Sequence, residues 1–178
     1  MNGIASLLDQ TAYSLVEKLW QELESSCGLV GVKITPFPHF TWQVTDGYDR
    51  SRLDSTLREI SSHTLPFTIR TVGLGIFTGE KPVVYITIFK DESLIAFHSM
   101  LWERTQGIAI RPAIFYTPNQ WVPHITLAYN DVSHDNLNCA LRTLAFQSFD
   151  WEIKIDNLIY VGQTDNQIPD TVRYQFGN

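Results

Sequence analysis

Apolar positions along the chain alternate between helical and extended periods. Between Ser6 and Ser26, Leu8, Ala12, Leu15, Leu19 and Leu23 recur every three or four residues, which predicts a helix with one apolar stripe. Gly28 is placed to end it. Gly31 to Val44 reads as extended, and within it His39, Thr41 and Gln43 alternate with Phe40, Trp42 and Val44. That alternation is a strand with one polar and one apolar face. A helix is predicted from near Ser51, with Asp54 in a capping arrangement and Leu53, Leu57 and Ile60 as its stripe. Phe67–Phe77 and Val83–Phe89 read as a hairpin turning at Thr78-Gly79-Glu80-Lys81, followed by a helix from Asp91 to Gln106 closed by Gly107.

From Pro123 the order of elements starts again. A strand runs to Tyr129, then a helix with Ser133 as N-cap carries Leu137, Leu141 and Leu144 on one face. Phe149 to Gln163 is extended, and Val172 to Phe176 is a last strand. The two halves overlay: Leu53, Leu57 and Ile60 match Leu137, Leu141 and Leu144, and Leu74, Ile76 and Phe77 match Leu158, Tyr160 and Val161. A single duplication of this kind predicts an α+β, bilobal, pseudo-duplicated fold. Its two antiparallel sheets, each backed by helices, would surround a central cleft. Residues 1–178 form one domain in this reading, with lobe-like repeats at about 31–90 and 116–178.

The duplicated strands carry the chemistry. Residues 38–42 read Pro-His-Phe-Thr-Trp, and residues 123–127 read Pro-His-Ile-Thr-Leu. On a strand, His and Thr two apart share a face. Two such strands facing one cleft offer an acid, a base and two hydroxyl donors for phosphate oxygens. Histidine suits both proton-transfer roles because its ordinary pKa lies near neutrality. Phosphoryl transfer needs little beyond such groups, positioned, with charge stabilisation. His39 and His124 are therefore the candidate catalytic residues, and Thr41 and Thr126 the candidate phosphate binders. Their division into acid and base is not set by the chain.

A net charge of −6 argues against a partner as long as an extended nucleic acid, but leaves room for a small nucleotide or an RNA end. Cys27 and Cys139 stand apart in different contexts and read as reduced thiols in a reducing compartment. No apolar run is long enough to span a bilayer, and the first residues lack the basic-then-apolar pattern of a secretory signal. A cytoplasmic protein with no membrane partner, favoured as a monomer, is expected.

The two His-x-Thr motifs, the duplicated layout, the hairpin strands Leu74-Gly75-Ile76-Phe77 and Pro82-Val83-Val84-Tyr85, and the stretch Trp121-Val122-Pro123-His124-Ile125-Thr126-Leu127-Ala128 resemble the 2H phosphoesterase superfamily. The branch most similar is that of the 2′-5′ RNA ligase-like proteins, or RNA 2′,3′-cyclic phosphodiesterases. The resemblance covers about Gly31 to Phe176. It implies a metal-independent cyclic phosphodiesterase with His39, Thr41, His124 and Thr126 as active residues and no cofactor. Many members of that branch carry an arginine shortly after a motif; none stands at Gln43-Val44 or Ala128-Tyr129, which favours a smaller or less charged substrate. The alternatives are an RNA-end 2′-5′ ligase, a hydrolase of cyclic oligonucleotides, or a nucleotide-binding module without turnover.

Tyr116 and Trp121 flank the approach to the second motif and are candidate stacking surfaces for a base. Packing is the commoner use of such residues. His98, flanked by Leu94, Ile95, Leu101 and Trp102, reads as a hydrogen-bonded histidine at the edge of the core. His63 and His134 fall near turns, and no third ligand stands near either motif at a metal-site spacing. Arg50, Arg52 and Arg111 read as solvated rather than as phosphate contacts. Gly73-x-Gly75 opens no helix and so is no dinucleotide fingerprint.

Overall fold

Two β-α-β-α-β units run in series. The computed structural model describes residues 2–162 and 170–177. The first unit is β1 (Asn2–Leu7), α1 (Gln10–Cys27), β2 (His39–Thr45), α2 (Arg50–His63) and β4 (Phe67–Phe77), with the short β3 (Gly47–Tyr48) inserted after β2. The second is β5 (Val83–Ile88), α3 (Glu92–Thr105), β7 (His124–Ala128), α4 (His134–Leu144) and β9 (Asn157–Gly162). It is interrupted by β6 (Ala109–Ile110) and β8 (Glu152–Ile155), and β10 (Asp170–Gln175) follows it. The sequence repeat thus continues upstream into β1–α1 and β5–α3.

Among the described residues eight strands pair in the order β10-β9-β1-β2-β7-β5-β4-β8, every neighbour antiparallel. The α+β class and the duplication are as the sequence predicts. The two half-sheets meet edge to edge through the two motif strands. Each unit sends its third strand to the other half: β4 pairs with β5, and β9 with β1. Helices α2 and α3 back the half containing β2, where α3 places Phe97 5.0 Å from Trp42 and His98 against the Trp42 carbonyl. Helices α1 and α4 pack together, and α1 also reaches β7.

Strand β1 is a correction to the predicted start of the first helix. Ile4, Ala5 and Ser6 are buried between β9 and β2, and the helix begins only at Gln10, where the Asp9 carboxylate accepts from the Ala12 N–H. A strand buried on both faces shows no alternation, and six residues are too few to signal it otherwise. Helix α2 is capped by Asp49 rather than by Ser51. Ser133 caps α4 in a full capping box with Asn136, as expected. Of the extended run Phe149–Gln163, β8 and β9 are separated at Asp156, and Gln163 lies outside the described residues.

The cysteines are also corrected. Cys27 and Cys139 form a disulfide that ties the end of α1 to α4, with their Cα atoms 5.6 Å apart. They are 112 residues apart in the chain, so only helix packing brings them together. The reduced-thiol argument for a reducing compartment falls with this pairing. Among the described residues no helix is long and apolar enough to cross a membrane.

Candidate active site

Phe40, Trp42, Ile125 and Leu127 are all nearly inaccessible on the helix-backed face of the sheet. Burying each contributes roughly 1.5–3 kcal/mol. A one-residue slip of either strand would expose them and bury the histidines instead, so the register is firmly set. His39, Thr41, His124 and Thr126 project, half-buried, from the opposite face. Phe40 pairs with Ile125 across the β2–β7 seam. That register puts His39 opposite Thr126 and Thr41 opposite His124. The four side chains form a square with the histidines on one diagonal, a separation of about 7–8 Å for such neighbours.

Both motif strands then bulge at the same place. Ala5 pairs with Thr41 but Ile4 with Gln43, skipping Trp42; Tyr85 pairs with Thr126 but Val84 with Ala128, skipping Leu127. A bulge bends its strand and reverses which residues face inward beyond it. Gln43 is therefore turned into the core, where its side-chain carbonyl accepts from the Tyr48 hydroxyl. This corrects its predicted place on the polar face beside Thr41. Past the bulges the seam opens, and two indoles bond the free carbonyls: Trp121 Nε1 donates to Thr41 O at 2.9 Å, and Trp20 Nε1 to Thr126 O at 3.1 Å.

The prolines orient the imidazoles. Phe37 and Val122 each precede a proline, which holds them extended. Their carbonyls accept from Nδ1–H of the following histidines, at 2.8 Å for His39 and 2.7 Å for His124. A carbonyl can only accept, so each neutral ring keeps its hydrogen on Nδ1 and presents Nε2 as a free base. Burial holds both imidazoles below the ordinary histidine range, against the upward pull of these carbonyls. The charge of His39 pushes His124 further down, so the two share one electrostatic environment.

Trp121 is not available to a base. It is 2 % exposed, with His98 stacked at 3.9 Å and Trp42 at 5.3 Å. Packing and its bond to Thr41 account for it, which corrects the stacking expectation. Tyr116 is half-buried in a short 3₁₀ turn, its phenol pushed up to about 12 by burial and by Tyr129. His98 has the structural role expected, bonding the Trp42 carbonyl at 3.0 Å. Arg50 and Arg111 are paired with Asp170 and Asp46, and Arg52 donates to the Gly107 carbonyl. Among the described residues no three histidine, cysteine or carboxylate side chains are grouped to hold a metal. The aromatic neighbours of His124, Phe77 and Tyr85, escaped the sequence reading because they come from another hairpin; Gly75 opposite Tyr85 was the local signal.

The family model of the 2′-5′ RNA ligase superfamily matches residues 12–166, a span that includes both motif strands. The chain belongs to the 2′-5′ RNA ligase superfamily, whose members are 2H phosphoesterases. A relative from Bacillus pumilus (strain SAFR-032) bears the name "Putative phosphoesterase" and is 27 % identical over 135 residues, 72 % of each chain. The crystal structure of TT0787 of Thermus thermophilus has a similar fold, with a TM-score of 0.67 over 99 % of this chain and 98 % of that one, at 14 % identity.

Proposed function

We propose that this 2H phosphoesterase is a metal-independent cyclic phosphodiesterase that hydrolyses the 2′,3′-cyclic phosphate of a nucleotide or an RNA end. The observation that carries the reading is the diagonal pair of imidazoles, each with Nδ1 tied to a pre-proline carbonyl and with Nε2 unbonded among the described residues. One Nε2 takes the proton of the attacking water. The other, protonated, gives its proton to the ribose oxygen that leaves. The Thr41 and Thr126 hydroxyls donate to the non-bridging oxygens as negative charge builds on them. Ring strain in the cyclic ester assists the departure of that oxygen. The name of the Bacillus pumilus relative and the superfamily both support phosphoester chemistry.

The test is hydrolysis of 2′,3′-cyclic AMP and of a short RNA ending in a cyclic phosphate, in excess EDTA. Wild type should turn over at least one of them. His39→Ala and His124→Ala should each lose roughly 10²–10⁴-fold, the range for a positioned acid or base, with unchanged unfolding midpoints. Full activity in either variant refutes the two-histidine mechanism. Cleavage that stops in EDTA refutes its independence of metal.

A further inference from the structure

The two carbonyls that fix the imidazole tautomers are not held alike. Phe37 stands between Pro36 and Pro38, and its N–H donates to the Thr35 carbonyl at 2.9 Å. The first carbonyl is thus set by its own stretch of chain, with a proline ring on each side. Val122 has Pro123 after it but Trp121 before it. Lys90, two residues past the end of β5, lies against this stretch. Its Nζ donates to the Trp121 carbonyl at 2.9 Å and to the Pro118 carbonyl at 3.1 Å, and it sits 5.7 Å from the centre of the Trp121 ring. Among the described residues no carboxylate pairs with Lys90.

We propose that Lys90 is a positioning residue: by holding the Trp121 carbonyl it aims the neighbouring Val122 carbonyl at Nδ1 of His124, and so keeps Nε2 of that ring turned to the substrate. The use made of the ring rests on the cyclic phosphodiesterase reading above. Successive carbonyls of an extended chain point to opposite sides. The Pro123 carbonyl accepts from the Ile88 N–H at 3.1 Å and the Trp121 carbonyl from Lys90, so both neighbours of the Val122 carbonyl are tied to β5 and the residues after it. The Val122 carbonyl is left turned the other way, where Nδ1–H of His124 donates to it at 2.7 Å.

A backbone bond cannot do the work of Lys90. Pro123 has no N–H to return to Ile88, so the β5–β7 ladder ends there. The charged side chain reaches one step further and gathers two carbonyls of the turn that Gln120 and Trp121 close by donating to the Thr117 carbonyl. Such charge-assisted bonds are stronger than neutral ones. Without them the Trp121–Val122 peptide is free to rotate. His124 then loses its fixed acceptor, and a ring that carries its hydrogen on Nε2 has no base to offer there. At His39 the second proline supplies this restraint, so only one half of the site depends on a lysine.

Long-range 1H–15N NMR of the imidazoles, on the whole protein at a pH where both rings are neutral, reads the tautomers without any substrate. In wild type both His39 and His124 should carry their hydrogen on Nδ1. Lys90→Met keeps the length of the side chain and removes its donors. It should leave His124 as a mixture of the two tautomers, with His39 as in wild type. On whichever cyclic phosphate the wild type cleaves, kcat should fall roughly 10–100-fold with KM little changed, as for a displaced reacting group. A His124 that keeps its hydrogen on Nδ1 in Lys90→Met overturns the proposal, even where the variant is less stable, because a purely structural lysine would behave so. Loss of the fixed tautomer at His39 as well, or mixed tautomers at His124 with kcat unchanged, would overturn it equally. If Lys90→Met does not fold, Lys90→Gln, which lacks the charge but keeps an amide donor, gives the same readout. Failure of the wild type to cleave any cyclic phosphate overturns the functional reading alone, since the tautomers are measured independently.

Discussion

His98 makes stability depend on pH in a way that can be measured. The ring is 1 % exposed, stacked at 3.9 Å on Trp121 and bonded through Nε2–H to the Trp42 carbonyl. Burial lowers its pKa to about 4, with Lys90 adding to the same effect. The folded protein therefore keeps His98 neutral at pH values where the unfolded chain already binds a proton. Stability from this group is complete above pH 6.5 and is lost as the pH falls towards 4. Each unit of that shift is worth about 1.4 kcal/mol, so the loss across the window comes to about 3 kcal/mol. Urea unfolding followed by tryptophan fluorescence at pH 7, 6, 5 and 4 reads it. With an m-value of roughly 2 kcal/mol/M, the midpoint should fall by about 1.5 M through His98 alone. His98→Gln keeps a donor for the Trp42 carbonyl but does not titrate. Its midpoint should fall correspondingly less over the same range, the remainder coming from His39, His124 and the carboxylates common to both proteins. Parallel pH dependence in wild type and His98→Gln would show that His98 titrates normally and would refute the reasoning.

The proposed reaction needs one imidazole protonated and the other neutral, and both are held below the ordinary value of 6.5. The pH profile of kcat/KM should therefore peak below pH 6.5 and fall about tenfold per unit beyond its alkaline limb; a plateau reaching past pH 7.5 would contradict the burial effect. Trp121→Phe keeps most of the packing but leaves the Thr41 carbonyl without its donor. It should cost about 1–3 kcal/mol in urea unfolding, and an unchanged midpoint would mean that the carbonyl finds another partner. Reducing the Cys27–Cys139 disulfide, which closes a loop over 112 residues of separation, should lower stability by about 2–5 kcal/mol. Identical unfolding curves with and without reductant would show that the bond constrains little.

The parts of this fold legible in the sequence were those fixed by neighbours a few residues away. The motif strands declare themselves through alternation, α4 through Ser133 and its stripe of leucines, and the β4–β5 hairpin through its polar turn. His39, Thr41, His124 and Thr126 share one face because strand geometry puts them there. What stayed hidden depends on tertiary pairing. The bulges that turn Gln43 inward follow from how β1 and β5 align with their partners. The roles of Trp20 and Trp121 appear only where the seam opens and leaves carbonyls to be bonded. The contact of Tyr85 and Phe77 with His124 joins two hairpin strands to a strand some 40 residues on, and the disulfide joins two helices from different units.

The exchange of third strands sets the order of assembly. Strand β1 leaves the ribosome before the other described strands, yet one of its two neighbours is β9, which pairs Gly3 with Val161. The first unit cannot complete its half-sheet from its own residues, and neither can the second, because β4 is already committed to β5. During synthesis the nascent chain therefore carries an apolar strand with an open edge until β9 has emerged. A cut between the units would yield two fragments that must find each other, not two independent domains. His39 and His124 sit side by side only once β2 and β7 have paired, so a product that ends before β7 lacks half of the proposed site.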